Sequence, residues 1–326
     1  MKALVYTGAE AMDYRDAPEP VENDSLIQVE AVGICGSDMH AYLGHDERRP
    51  APLILGHEAA GTVLKGVQEG KRVTVNPLVP CGACKACLEG RENICATRQI
   101  ISMPPREGAF AERMSMPAEN LVEVPDGFAI EKAALAEPLS VCWHAVKLAE
   151  SRQYTPFNES KCLVLGGGAI GVGTALCLKA FGATDVVVVE PNKERAAVVS
   201  ASCGLEMISP DAVDAGTYDA VYDAVGYRGT REAACRAVRP GGIIVHIGLG
   251  DAKDGLDIRY MTLQEVTFIG NYYYTKQDFR ETCTAMFNGR LGDLGWTDMR
   301  ALSEGAQAFA DLRAGKVASP KIVLNP

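Results

Sequence analysis

The sequence predicts an α/β protein in two parts, a β-rich first part followed by a doubly wound parallel sheet. Three observations carry that expectation. Up to about residue 137, short apolar runs such as 26–32 and 72–75 are broken by Gly, Pro and Asp, the texture of short strands. Beyond it, strand-like and helix-like stretches alternate, as a parallel sheet requires. The length, 326 residues, suffices for two separate cores.

The elements follow in order. MKALVYTGAE alternates apolar and polar residues and reads as a strand, not as the apolar core of a signal peptide. A helix is expected over 139–150, then a polar break, SRQYTPFNES. KCLVLG, the helical AIGVGTALCLKAFGA, DVVVVE, a helix over 193–203, YDAVYDAV, a helix from Thr230 and GGIIVHIG build the parallel series. VTFIGNYYY (266–274) reads as one long apolar strand at the sheet edge, which predicts pairing of such edges in a homodimer or homotetramer. Two amphipathic helices, 276–287 and 304–314, and a last strand in SPKIVLNP complete the chain.

Charge and composition exclude some partners. A net charge of −10 argues against nucleic acid or an anionic membrane surface. No apolar run approaches the roughly 20 residues that span a bilayer. Cys142, Cys162, Cys177, Cys203, Cys235 and Cys283 lie singly in apolar or helical stretches and read as packing. A reducing, cytoplasmic compartment fits this usage.

Three motifs carry chemistry. In LGGGAIG, Gly166, Gly168 and Gly171 form G-x-G-x-x-G between a strand and a helix. The turn brings backbone close to a pyrophosphate, and the helix that Ala169 and Ile170 open offers its free N–H groups. Glu190 ends the next strand, where a carboxylate would bond ribose hydroxyls and repel a 2′-phosphate, so NAD is favoured over NADP. Lys193 and Arg195 are the nearby cations that would meet a phosphate.

Second, Cys81, Cys84, Cys87 and Cys95 are spaced C-x2-C-x2-C-x7-C, which suits a closed tetrahedral zinc. Four thiolates leave no open position, so this zinc is expected to fold its loop and take no part in catalysis. Third, GICGSDMH and GHEAAG supply Cys35, Asp38, His40, His57 and Glu58, and EPLS adds Glu137 where the first part meets the second. Together they look like a catalytic metal site with three protein ligands. His45, His144 and His246 receive no catalytic role.

These motifs, with D-A-V-G and R-P-G-G further on, resemble the zinc-dependent medium-chain dehydrogenases along the whole chain, and specifically their polyol (sorbitol-type) branch. The resemblance implies a GroES-like catalytic domain over 1–138 and 275–326 around a Rossmann coenzyme domain over 139–274. It implies two zinc ions per chain, one catalytic and one structural. Cys35 and His57 would hold the catalytic zinc, with Glu58 or Glu137 as the third ligand. Asp38 would bond the far nitrogen of His57. Ser37, the nicotinamide ribose and His40 would pass the alcohol proton to solvent.

The expected activity is hydride transfer between a secondary hydroxyl of a polyol and NAD. A threonine, sugar-alcohol-phosphate or simple secondary-alcohol dehydrogenase is the alternative, and a zinc- and nucleotide-binding protein without activity is the rival from another class. Arg48 and Arg49 are the candidate phosphate ligands. Lys71 stands where the family has an aspartate in its G-D-R-V turn.

Overall fold

The computed structural model describes residues 1–21 and 24–326. Six parallel strands form the nucleotide-binding sheet, in the order Glu206–Ile208, Asp185–Val189, Lys161–Leu165, Tyr218–Asp223, Val238–His246, Thr267–Gly270. In chain order this is 3-2-1-4-5-6, which reverses direction beside Lys161–Leu165 and opens a crevice at the carboxyl ends of the strands. The central strands are near-continuous runs of buried Val, Leu, Ile and Ala because helices cover both faces.

The first part is antiparallel. Ser25–Gly33 pairs with Glu58–Lys65, which pairs with Arg72–Val75 and so leads to Leu121–Glu123. On its other side Ser25–Gly33 pairs with the last strand of the chain, Lys321–Asn325, and that strand with Thr297–Ala301. The carboxyl-terminal residues therefore complete the first sheet. Phe309, buried, packs its ring against Tyr42 and Phe110 in that core.

Two element boundaries differ from expectation. The helix expected over 139–150 is Ala136–Glu150, three residues longer at its start. Pro138 stands in its first turn, where the missing N–H has no partner to lose, and Glu137 thereby sits on the helix. The edge strand is only Thr267–Gly270. Tyr273, at φ +55°, turns the chain off the sheet, and Tyr274 sinks into the interior. Finally, Phe279, Cys283, Met286, Leu291, Leu294 and Trp296 pack in the same apolar cluster as Leu139, Val146 and Val172.

The helix Lys276–Phe287 is fixed to Ala136–Glu150 by two carboxylates, Asp278 and Glu281, the second of which accepts from Trp143 Nε1 at 3.0 Å and from Lys147 Nζ at 2.8 Å. Asp278 accepts from Thr275 Oγ1 (2.7 Å) and lies 2.7 Å from His144 Nδ1 and 2.8 Å from Lys147 Nζ. Burial opposes its charge, but these partners hold its pKa below the usual carboxylate range. A depressed folded-state pKa adds stability that is full above about pH 4 and lost as pH falls toward the folded value. Asp278→Asn should therefore destabilise the protein by about 1.5–3 kcal/mol at neutral pH. Denaturant titrations should find that penalty shrinking below pH 4; a penalty independent of pH would exclude the ionised pair as its source.

Candidate active site and metal centres

Glu58 opens its strand directly opposite Gly33. A Cβ at Gly33 would lie 1.9 Å from Glu58 Oε2, so only glycine leaves room for the carboxylate there. The other oxygen, Oε1, accepts from Lys321 Nζ at 2.7 Å, and the same ammonium donates to the carbonyl of Ile34 at 2.9 Å. Both charged side chains are shut from solvent, at 0% and 4% exposure.

Cys35 precedes the short helix Gly36–Tyr42 and His57 precedes Glu58. Donor atoms of Cys35, His57 and Glu58 all lie within 4.8 Å of one another. A thiol, an imidazole and a carboxylate, partly or fully buried, form a donor set that suits zinc. Glu58 Oε2 is buried without a hydrogen-bond partner, as a carboxylate oxygen held ready for a cation would be. Glu137 lies outside that trio. It is buried and accepts from the Tyr274 hydroxyl at 3.2 Å. Burial first, and the neighbouring Glu58 carboxylate, push its pKa up to about 7 against the pull of His57 and Lys321.

The two ring nitrogens of His57 have separate surroundings. Nδ1 lies 3.4 Å from Asp38 Oδ1 and 3.4 Å from Ser102 Oγ, while Nε2 lies 3.5 Å from Ser37 Oγ. Asp38 is fully buried and accepts from the backbone N–H groups of Cys35 (3.0 Å) and Gly56 (3.3 Å). It thus ties together the two segments that carry the donors. Burial disfavours a protonated imidazole, yet Asp38 and Cys35 carry the His57 pKa well above its ordinary value.

The four cysteines also converge, with all four sulfurs within 4.8 Å of one another. Cys84 and Cys87 are 3.5 Å apart and Cys81 and Cys87 3.9 Å, too far for disulfides. Sulfurs at the corners of a zinc tetrahedron with 2.3 Å bonds stand about 3.8 Å apart, which is the spacing found. Backbone N–H groups of Ala83 and Cys84 pull the Cys81 thiol down to about 6, so one thiolate is preformed. The loop closes where Leu78–Val79 pairs with Gln99–Ile100.

At the nucleotide turn, Gly166 has φ +99°, and a Cβ on Gly171 would meet Gly166 O at 1.7 Å. Gly168 caps the helix Ala169–Ala180, and no atom lies within 4 Å of where its Cβ would stand. That open cradle at a helix N-terminus fits a pyrophosphate. Glu190 accepts from Gly167 N (3.0 Å) and Asn192 N (2.7 Å). Arg195 lies 3.7 Å from Glu190 Oε2 and donates to Val317 O at 3.0 Å.

Comparison with known proteins agrees with this geometry. Residues 21–126 match the alcohol dehydrogenase GroES-like domain, and residues 169–288 the zinc-binding dehydrogenase domain. (R,R)-butanediol dehydrogenase of Saccharomyces cerevisiae is 30% identical, over 100% of this chain and 98% of its own. L-galactonate-5-dehydrogenase of Escherichia coli K12 is 32% identical, over 85% and 84%. A Sinorhizobium meliloti 1021 protein solved with NADP bound superimposes with a TM-score of 0.89 at 26% identity, over 100% of this chain and 99% of its own.

The chain belongs to the zinc-dependent medium-chain dehydrogenase family.

Within this dehydrogenase, four site residues escaped the motifs. Lys321, Ser102 and Tyr274 reach the cluster from far along the chain and Arg49 from twelve residues past Ser37, and none lies in a spacing that sequence alone could flag. Arg49 also corrects an expectation. It is buried and donates to Asp46 Oδ2 (2.7 Å), Ser102 O (3.0 Å) and Ser37 O (3.2 Å), so it braces the site and is not free for phosphate. Arg48 is likewise paired with Asp46, at 2.8 Å. His40 is partly exposed, and among the described residues no hydrogen bond joins its ring to Ser37. Lys71, at the departure from the G-D-R-V turn, forms an exposed pair with Glu123 at 2.8 Å.

Because Asp38 orients His57 through Nδ1, Asp38→Asn should weaken zinc affinity about 10- to 100-fold while leaving the four-cysteine site loaded. Chelator competition followed by metal analysis would measure both; unchanged affinity would remove the orienting role.

Proposed function

We propose that the enzyme oxidises a secondary hydroxyl of a polyol or sugar alcohol to the ketone with NAD, and catalyses the reverse reduction. The observation that carries this reading is the convergence of half-buried Cys35 with buried His57 and Glu58 in a chain that also holds the cofactor crevice. Two relatives named above act on a diol and on a polyhydroxy acid. The pairing of Arg48 and Arg49 with Asp46 disfavours a phosphorylated substrate.

Cys35 and His57 hold the catalytic zinc, with Glu58 as the favoured third ligand and Glu137 behind it. Zinc bound there supplies the Lewis acidity that brings the pKa of a substrate hydroxyl toward neutrality. Ser37, beside His57 Nε2, would pass the hydroxyl proton by way of the nicotinamide ribose hydroxyl to His40, which is partly exposed and gives it up to solvent. The carbon-bound hydrogen leaves as hydride to NAD, so each turnover yields ketone, NADH and one proton. Gly166, Gly168, Ala169, Ile170 and Gly171 cradle the pyrophosphate, and Glu190 bonds the adenosine ribose. Arg195 stands beside Glu190 and tempers the preference for NAD. Cys81, Cys84, Cys87 and Cys95 hold the structural zinc.

The coenzyme domain occupies the middle of the chain, and the catalytic domain takes both ends. Exposed Phe268, Leu249, Ile258 and Leu263 around the edge strand Thr267–Gly270 support association into a dimer or tetramer. Among the described residues no helix is long and apolar enough to cross a membrane. The reduced cysteines support a cytoplasmic setting, where cell fractionation should find the enzyme.

Purified enzyme should contain about two zinc ions per chain, of which chelation removes one together with activity. It should form NADH from polyols in preference to threonine, sugar-alcohol phosphates or simple alcohols. In the same assay Glu190→Ala should lose discrimination against NADP. Activity with a single zinc held in the four-cysteine lobe would refute the catalytic-zinc role, and unaltered discrimination would refute that of Glu190. Light scattering should report a dimer or tetramer; a monomer would exclude association through this edge.

A further inference from the structure

The segment that leaves the edge strand is pinned on both sides of Tyr273. Before it, the four-cysteine lobe grips Tyr272: Asn93 Nδ2 donates to its carbonyl at 2.8 Å, and Arg98 donates to its hydroxyl at 3.0 Å while lying over the ring at 4.9 Å. After it, Tyr274 donates to Glu137 at 3.2 Å, and the backbone N–H of Lys276 is bonded to Glu92 of the lobe. Held between, Tyr273 adopts φ +55°, a left-handed conformation that bulky side chains rarely take. Such strain persists where the surroundings over-determine it, and it clusters at binding sites.

This conformation stacks the Tyr273 ring on Tyr274 at 5.0 Å and 28°. Its phenol oxygen is buried and, among the described residues, meets no hydrogen-bond partner. Cys35, Glu137 and Arg49 are close enough to act on it electrostatically, and burial keeps it a neutral O–H. Tyr222 also has an unpaired hydroxyl, but that ring lies wholly inside the apolar core of the parallel sheet. Tyr273 is partly accessible and stands beside the candidate zinc ligands.

We propose that the Tyr273 phenol is the hydrogen-bond partner of a second hydroxyl of the substrate, next to the carbon that is oxidised, and so sets the preference for polyhydroxy over monohydroxy alcohols. The proposal rests on the dehydrogenase reading above. A buried group left unpaired by the wrong substrate discriminates against it, whereas a merely apolar pocket does not.

Tyr273→Phe keeps the ring and its stacking and removes only the oxygen. With (R,R)-2,3-butanediol, kcat/KM should fall about 3- to 10-fold, the worth of one hydrogen bond. With 2-butanol, which lacks the second hydroxyl, it should not change. Thermal stability should be unchanged or higher, since the oxygen has no partner in the protein to lose. An equal fall with both alcohols, or no fall with either, would overturn the proposal. Should the parent turn over neither, the dehydrogenase reading fails on its own. Calorimetric binding of the same diol to the zinc-loaded NADH complex then decides the contact. Tighter binding by the parent supports it, and equal affinity, or binding by neither protein, overturns it.

Discussion

The buried pair between Glu58 and Lys321 is the constraint on which the site depends. A carboxylate with no solvent exposure is tolerated only if an opposite charge and hydrogen bonds replace its water. The cation comes from the sixth residue before the end of the chain. It reaches Glu58 because Lys321–Asn325 adds to the sheet beside Ser25–Gly33. The last strand is thus part of the site, and the chain has to pass through the whole coenzyme domain before the first sheet is complete. An ion pair so deep is poor evidence of stability gained. Its value here is geometric: it holds one carboxylate oxygen and leaves the other beside Cys35 and His57.

The four-cysteine lobe is the most conspicuous metal motif, and its sulfur geometry leaves no place for a substrate. Its contacts nevertheless reach the cleft. Glu92, Asn93 and Arg98, in or just after the lobe, bind the segment that carries Tyr272 to Lys276. These contacts hold the strained turn beside Glu137 to the lobe.

Much of this was legible in the sequence, and the limits are physical. The glycines at 166, 168 and 171 and the four-cysteine spacing are short-range patterns, each with one demanding chemistry, whereas Cys35 and His57 stand far apart and left the third ligand open between Glu58 and Glu137. VTFIGNYYY misled because an apolar run records burial without its direction. Residues 267–270 are strand, while Tyr274 is buried by a turn that only the surroundings of Tyr273 impose. The helix expected to start at 139 begins at Ala136, and its first turn accepts Pro138. Lys321 and Ser102 are 263 and 45 residues from their partners Glu58 and His57. No periodicity encodes such contacts; the topology does.

Charge finally explains why this pocket should hold a dication. Cys35, Asp38, Glu58 and Glu137 are four potential anions, three of them carboxylates that are fully or almost fully buried. Lys321 and Arg49 are the permanent cations beside them, and Arg49 also serves Asp46. Without a metal, protons meet part of this demand: burial first, and the neighbouring Glu58 carboxylate, push Glu137 up to about 7, while Asp38 and Cys35 raise His57 against its burial. A divalent cation meets the same demand without occupying the acceptors that a reacting alcohol needs. Protons and a metal would compete for the same donor atoms, since a bound metal requires those ligands deprotonated.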